Sequence, residues 1–409
     1  MKTLGIVVEY NPLHNGHKYH FEEAKRITGS DYVIAVMSSS FVQRGEPAII
    51  NKEERVKLAL ELGVDLVIEL PFLYTVENAD YFAYGAIHLL NELKVDCICF
   101  GSETGNTEEF LRKYDVSSIA QPHLDFLVHD YMDQGMSYPA AFSKALKDID
   151  SFMLDEPNDI LGYAYMNVIK SNNMNIEVHT IKRDGDYSSS TLGNTLPSAK
   201  AIREALVKKE NVSSYIPFDI SNQEYTFLDD YFDLLKYKLI TSSEEEISSI
   251  HLVTEGIEYL LKDKIIESNN MQEFISKCTS KRYTAARIKR IIVHILVGTN
   301  KKEAKEILAS PPPYARILGI NKRGQEYLSM KRKEIKIPVL NRFKGKEYKL
   351  LQLEKKASYV YYSKYEQNKL NVMWEHEHCI YPIRKEDWFL NLLFLLLNSL
   401  NWLLELQYS

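Results

Sequence analysis

His14 and His17 bracket Asn15-Gly16 at residues 14–17, and this His-x-Gly-His spacing is where chemistry is expected in the chain. An apolar run (residues 4–8) ends at Tyr10-Asn11-Pro12, a turn signal, and helical spacing then opens around Asn15-Gly16 and continues through Phe21, Ala24 and Ile27. The pattern is strand, loop, helix start. A helix N-terminus offers unpaired backbone N–H groups and the positive end of a dipole, so it suits phosphate. Gly16 lets a ligand approach the backbone, and two imidazoles there can donate hydrogen bonds to an α-phosphate as its charge builds. The chemistry implied is attack by a second substrate's oxygen on the α-phosphate of ATP, with pyrophosphate leaving and Mg²⁺ accompanying the triphosphate. His-x-x-His also suits zinc, but no cysteine or third ligand accompanies it in the sequence. Further along, Ser198-Ala199-Lys200-Ala201-Ile202-Arg203 opens another helix. Ser198 is expected as N-cap and phosphate donor together, with Arg203 one turn later as a charged clamp. A plain capped helix with a surface arginine is the competing reading.

These residues need a scaffold. Residues 4–8, 31–37, 65–70 and 95–100 are short apolar runs rich in β-branched residues. Between them, residues 17–27, 53–62 and 79–93 carry apolar positions at helical spacing. Such alternation predicts an open parallel sheet with helices on both faces, an α/β fold that binds ligands beyond the carboxyl ends of its strands. The first loop and Gly101-Ser102-Glu103 both fall there. Residues 104–174 read as helices, one of them starting at Glu156-Pro157-Asn158-Asp159, and residues 175–181 as a fifth strand followed by Arg183. After residue 204 the text turns helical with no further strand alternation. Gly319-Ile320-Asn321-Lys322-Arg323-Gly324 reads as a basic loop suited to phosphate.

The net charge of −6 conceals an asymmetry. Residues 281–349 hold 19 Lys and Arg against 5 Asp and Glu, which leaves −20 for the rest. An acidic body with one basic segment points to a polyanionic partner, and Arg287, Lys289, Arg290, Lys322 and Arg323 are its candidate contacts. A solvated lysine-rich helical surface is the plain alternative. The four cysteines show neither metal spacing nor a disulfide framework, and Met1-Lys2-Thr3 leads into a strand rather than a signal peptide. A cytoplasmic protein with inert thiols is expected. The expected division is a catalytic region at 1–210, a basic helical region at 211–385 and a tail at 386–409. Within that tail residues 388–404 are strongly apolar, 17 residues at the lower limit of a membrane span but also suited to a docked helix.

The wider text is more specific than the tetrapeptide. Val7-Val8-Glu9-Tyr10-Asn11-Pro12-Leu13-His14-Asn15-Gly16-His17, Gln43-Arg44-Gly45-Glu46-Pro47-Ala48 and Val64-Asp65-Leu66-Val67-Ile68-Glu69-Leu70-Pro71 together resemble the bacterial tRNA(Met) cytidine acetate ligases. These belong to the nucleotidyltransferase superfamily with the His-x-Gly-His signature, and the likeness runs to about residue 350. The resemblance implies a Rossmann-like nucleotidyltransferase sheet followed by a mainly α-helical C-terminal region. It implies that acetate is activated by ATP as acetyl-adenylate, and that the acetyl group passes to the wobble cytidine of elongator tRNA-Met as N4-acetylcytidine. Carried over residue by residue, the ATP site comprises Val7, Val8, Glu9, Tyr10, Asn11, Pro12, Leu13, His14, Asn15, Gly16, His17, Lys18, Tyr19 and His20, with Gly101, Asn158 and Arg183. Arg44 is then a candidate for acetate or a tRNA phosphate. Lys52 is a candidate for the triphosphate, or a simple partner of Glu53 and Glu54. Leu13 and Lys200 stand where phenylalanine and threonine are usual in that family. A small-molecule nucleotidyltransferase and a catalytically silent RNA-binding protein are the alternatives.

Overall fold

The computed structural model describes residues 1–103, 105–150, 156–182, 197–343, 348–379 and 382–386. Its centre is a sheet whose inner strands bury nearly every residue. The parallel strands are β1 (Thr3–Val8), β2 (Tyr32–Ser38), β5 (Leu66–Leu70), β6 (Cys97–Ser102) and β7 (Glu177–Lys182), while β3 (Phe41–Val42) and β4 (Glu46–Pro47) form a separate antiparallel hairpin. Along the sheet the parallel strands run β5-β2-β1-β6-β7, so the chain reverses its direction of travel between β1 and β6. That switch point leaves a crevice at the carboxyl edge of the sheet. Hydrophobic layers fill both faces. On one, Phe21 and Ala24 of helix Asn15–Thr28 pack with Val56 and Ala59 of helix Lys52–Leu62 and with Ile202 of helix Ala199–Val207. On the other, helices Ala79–Glu92 and Pro157–Ser171 pack on the sheet with the helices that follow residue 228.

The region after residue 204 is mainly helical, with one correction to the sequence reading. Strands return: β8 (Ala315–Ile320) pairs antiparallel with β5, and β9 (Val339–Leu340) and β10 (Ile383–Arg384) pair with β8. The six residues of β8 follow a run of prolines and include Arg316, so the text reads as a turn. In the fold Arg316 is neutralised by Glu69 on β5, with two Nη1–Oε distances of 3.0 Å. No helix among the described residues is long and apolar enough to cross a membrane. The apolar run at 388–404 lies outside the described residues.

Candidate active site

The turn after β1 is short and buried. Tyr10 takes a positive φ of 48°, Asn11–Pro12 is cis, and Asn11 Oδ1 accepts the Ile49 N–H at 2.7 Å. The chain then enters helix Asn15–Thr28 through a cap made of the two histidines. Gly16 N–H donates to His14 Nδ1 at 3.0 Å, and His14 N–H donates to His17 Nδ1 at 3.3 Å. This is a capping box with imidazoles in the place of hydroxyl and carboxylate. It also sets the tautomer: an Nδ1 that accepts a hydrogen bond leaves the ring proton on Nε2, so both imidazoles hold an Nε2–H donor. The rings lie 3.9 Å apart by centroid, and Tyr10 meets the edge of His17 at 5.3 Å. A Cβ at residue 16 would stand 2.8 Å from His14 Cε1, so glycine is required for the imidazole as well as for any ligand. Asn15 fastens the helix start to residues 214–215, through its N–H to Tyr215 O and its amide to Ser214 O, both at 2.9 Å. His14 is buried and His17 and His20 half-buried, while Lys18 and Tyr19 are exposed on the outer side of the helix.

The second predicted phosphate element lies beside the first. Ser198 Oγ caps helix Ala199–Val207 by accepting the Ala201 N–H at 3.1 Å. Arg203 Nη1 donates to the Asn11 carbonyl at 2.8 Å, tying the two helix starts together, and its other nitrogen lies 3.5 Å from Glu46. The β3–β4 hairpin closes the group. Gln43 N–H donates to Glu9 Oε1 at 2.7 Å, Arg44 is half-buried beside Glu9 and Glu46, and Lys289 pairs with Glu46. Arg290 Nη1 donates to Glu77 O at 3.2 Å, which also accepts the Gln43 amide at 3.0 Å. Burial pushes the Glu9 carboxyl up against the pull of Arg44 and Arg203. Burial acts the same way on Glu46, but there Arg203 and Lys289 win and hold it below the usual carboxylate value. Arg44, Arg203 and Lys289 thus surround Glu9 and Glu46, with Arg290 beside Glu77, four cations against three carboxylates at the carboxyl edge.

Gly101 lies near the end of β6, paired with Ile181. Beyond it Ser102 Oγ donates to Asp159 Oδ1 at 2.5 Å, and Glu103 accepts the Asp159 N–H at 3.1 Å and the Asn158 side-chain amide. Asn158 is therefore held at the helix start by Glu103, a residue that the sequence reading placed at the strand end without giving it a role. Glu46 was missed as well, although a charged residue between the Gly45 turn and Pro47 in the hairpin motif was a usable signal. Arg183 lies outside the described residues.

Four candidates sit elsewhere. Lys52 is buried, its ammonium 2.6 Å from Glu69, 3.1 Å from Glu354 and against Glu377, and so is committed to carboxylates and not to phosphate. The pairing with Glu53 and Glu54 fails too: at the first turn of the helix Lys52 turns into the core, where an unpaired charge could not survive. Lys322 and Arg323 are not on a loop, because Asn321 caps a helix, Lys322–Lys331, that starts directly after β8. Since β8 runs antiparallel, its end lies opposite Leu66, the first residue of β5. Arg323 accordingly reaches the Asp31 carbonyl, Asp65 and the Tyr32 ring at the amino edge of the sheet, across the fold from the histidines. Arg287 is half-buried, stacked 4.2 Å from the Tyr283 ring centroid and bonded to Thr254 Oγ1 at 2.9 Å. Two acidic or histidine clusters among the described residues have metal-like spacing. In one, Lys52 and Arg316 already occupy the space between Glu69, Glu354 and Glu377. In the other, His294 uses one ring nitrogen on Val76 O (2.9 Å) and the second on Thr299 Oγ1 (3.0 Å), leaving no lone pair for an ion.

Comparison with known proteins agrees with this geometry. The HIGH Nucleotidyl Transferase family profile matches residues 1–375. The tRNA(Met) cytidine acetate ligase of Anoxybacillus flavithermus is 40% identical over 89% of this chain and 95% of its own length. That of Bacillus subtilis is 38% identical over 88% and 92%. Among solved structures, Thermotoga maritima TmcAL without ligand superposes with a TM-score of 0.86 at 30% identity, covering 94% of this chain and 99% of that one. Its complex with alpha-thio ATP gives 0.84 at 31%, with the same coverage. The chain belongs to the HIGH nucleotidyl transferase family and, by identity over nearly its whole length, to the tRNA(Met) cytidine acetate ligases.

Proposed function

We propose that the protein joins acetate to the wobble cytidine of elongator tRNA-Met at the expense of ATP, with the reaction centred on His14 and His17. An acetate oxygen attacks the α-phosphorus and pyrophosphate leaves, giving acetyl-adenylate. The exocyclic amine of the cytidine then attacks the acetyl carbon, loses a proton and expels AMP, giving N4-acetylcytidine. The carboxylate arrives ionised, so neither histidine has to act as a base. Each instead supplies an Nε2–H donor to the α-phosphate oxygens, whose charge grows in the transition state. Ser198 and the start of helix Ala199–Val207 take the remaining phosphates with Arg203, and Gly101 and Asn158 border the nucleoside. Arg183 is carried in the same role from the family text alone. Arg44 is assigned to the acetate carboxylate or a tRNA phosphate. The observation that carries this reading is the hydrogen bond from Arg203 to the Asn11 carbonyl, which unites two helix N-termini and both histidines in one cationic pocket.

Mg²⁺ fits as a passenger on the triphosphate. The pocket carboxylates Glu9 and Glu46 are engaged by Gln43, Arg203 and Lys289, so the ion's ligands are expected to be phosphate oxygens and water. Bound there, it would neutralise triphosphate charge. We further assign residues 1–210 to ATP and 211–385 to tRNA. This division is supported by the basic segment entering the pocket through Lys289 and Arg290, a feature a small-molecule nucleotidyltransferase would leave without use. The deciding assay mixes labelled acetate, ATP, Mg²⁺ and bacterial tRNA. Label entering tRNA as acetylcytidine, and lost with His14→Ala, supports the proposal. Pyrophosphate release without tRNA labelling turns it toward the small-molecule reading.

A further inference from the structure

Glu46 is gripped by cations from two distant parts of the chain. Arg203 belongs to the helix that opens at Ser198 and is itself bonded to the histidine loop at the Asn11 carbonyl. Lys289 belongs to helix Ala285–Val297, the first helix of the basic segment. The backbone beneath the carboxylate is fixed from both sides. Val42 pairs with Glu46 across the hairpin, and Gly45 N–H donates to Val42 O at 2.9 Å. Gly45 itself (φ +75°) lies so close to helix Ala285–Val297 that a Cβ would overlap the Lys289 carbonyl carbon and the Arg290 nitrogen. The hairpin backbone therefore rests directly on the helix backbone beside Lys289.

One carboxylate cannot neutralise two cations fully. A polyanion that takes one cation leaves Glu46 wholly to the other. We propose that Glu46 is a positioning residue that couples ATP binding to tRNA docking: when triphosphate oxygens take over Arg203, the carboxylate is left wholly to Lys289, which it already contacts, and holds the basic helix more firmly against the pocket. Because the linkage is thermodynamic, docked tRNA must tighten ATP by the same factor. This inference rests on the tRNA ligase reading above. Glu46 need not touch either substrate, and its substitution separates coupling from binding.

The test measures ATP affinity with and without unmodified tRNA, in acetate-free buffer, for the wild type, Glu46→Gln and Lys289→Met. The wild type is expected to bind ATP about 5-fold or more tighter when tRNA is present, the lower end of usual coupling. Both variants are expected to lose most of that ratio, and Glu46→Gln to bind ATP alone as well as the wild type or better, since a negative charge beside the triphosphate is gone. A loss confined to thermal stability, with ATP and tRNA weakened in parallel, would make Glu46 merely structural and overturn the proposal. So would an undiminished ratio in either variant, or no coupling in the wild type. Labelled-acetate transfer by the wild type is run alongside. If it fails, the ligase reading falls; if it succeeds while coupling survives in both variants, only the role given to Glu46 falls.

Discussion

Two ionic clusters lie near the carboxyl ends of the strands, and they are built on opposite rules. The pocket cluster gathers Arg44, Arg203 and Lys289 around Glu9 and Glu46, with Arg290 beside Glu77, and the side chains of Arg203, Glu46 and Lys289 are 21–26% exposed. The core cluster gathers Glu69, Glu354 and Glu377 around Lys52 and Arg316, with carboxylates in excess and every side chain at most 6% exposed. Dry surroundings demand that a charged group meet its counter-charge inside the protein, and the core cluster does so by also sharing a proton: Glu354 is pushed up to about 7 by burial and by Glu69. The pocket has no such closure. Its cations outnumber its carboxylates, so it can accept an anion from outside, which distinguishes a binding site from a structural ion network more sharply than the number of charges does.

The largest expected effect breaks the core cluster. Lys52→Met leaves three buried carboxylates facing one arginine, and should cost about 3–5 kcal/mol of unfolding free energy. ATP affinity of the folded fraction should stay within experimental error of wild type. Denaturant unfolding with and without ATP measures both, and a large selective loss of ATP binding would move Lys52 back into the pocket. The next effect belongs to the pocket. His14→Ala removes one Nε2–H donor and should lower acetyl transfer about 10²–10³-fold. Its effect on stability should be smaller, about 1 kcal/mol for the lost cap. Single-turnover transfer and thermal melts on one preparation separate the two.

Sequence reached the pocket more readily than the core cluster. His14, Gly16 and His17 sit within four residues, and local spacing reports a local structure. Four of the five parallel strands were legible for the same reason, each being a short apolar run, while β7 showed only as an alternation of polar and apolar residues. Ser198 and Arg203 were legible as a capped helix, but their union with Asn11 depends on a fold that brings together positions nearly two hundred residues apart. Lys52 was misread because nothing near it in the chain announces Glu354 or Glu377. Arg316 hid β8 in the same way, since a charge inside a short strand looks polar until Glu69 is placed beside it. Lys322 and Arg323 were misplaced because the direction of β8 decides which edge of the sheet they reach, and a run of six residues carries no sign of direction.

The contact between regions can be broken at one point. Gly45→Ala places a methyl group into the backbone of helix Ala285–Val297 at a positive φ. The expected cost is about 2–3 kcal/mol from steric overlap and backbone strain. Beyond stability, tRNA affinity should fall more than ATP affinity, because the helix that carries Lys289 and Arg290 is lifted while the histidine loop is untouched. Equal losses of both would show that the hairpin supports the ATP loop instead.

The smallest effect is the pH dependence that the core cluster contributes. Glu354, raised to about 7, keeps a proton in the folded state that an unfolded glutamic acid has released above about 4.5. Its contribution to stability is therefore complete below that value and is lost as pH rises through about 7. Glu377 runs the other way. Burial opposes its charge, but Lys52 and Arg316 prevail and hold it down to about 2, so its contribution is present above about 4.5 and is lost as pH falls toward 2. Of these two glutamates only Glu354 titrates between pH 5.5 and 8, where it should lower unfolding free energy by on the order of 1 kcal/mol. Denaturant midpoints across that range measure it, and Glu354→Gln, which cannot ionise, should flatten the alkaline fall. A slope that persists unchanged in that variant would place the titrating group outside the core cluster, and the contrast between a closed network and an open one would lose its proton-sharing half.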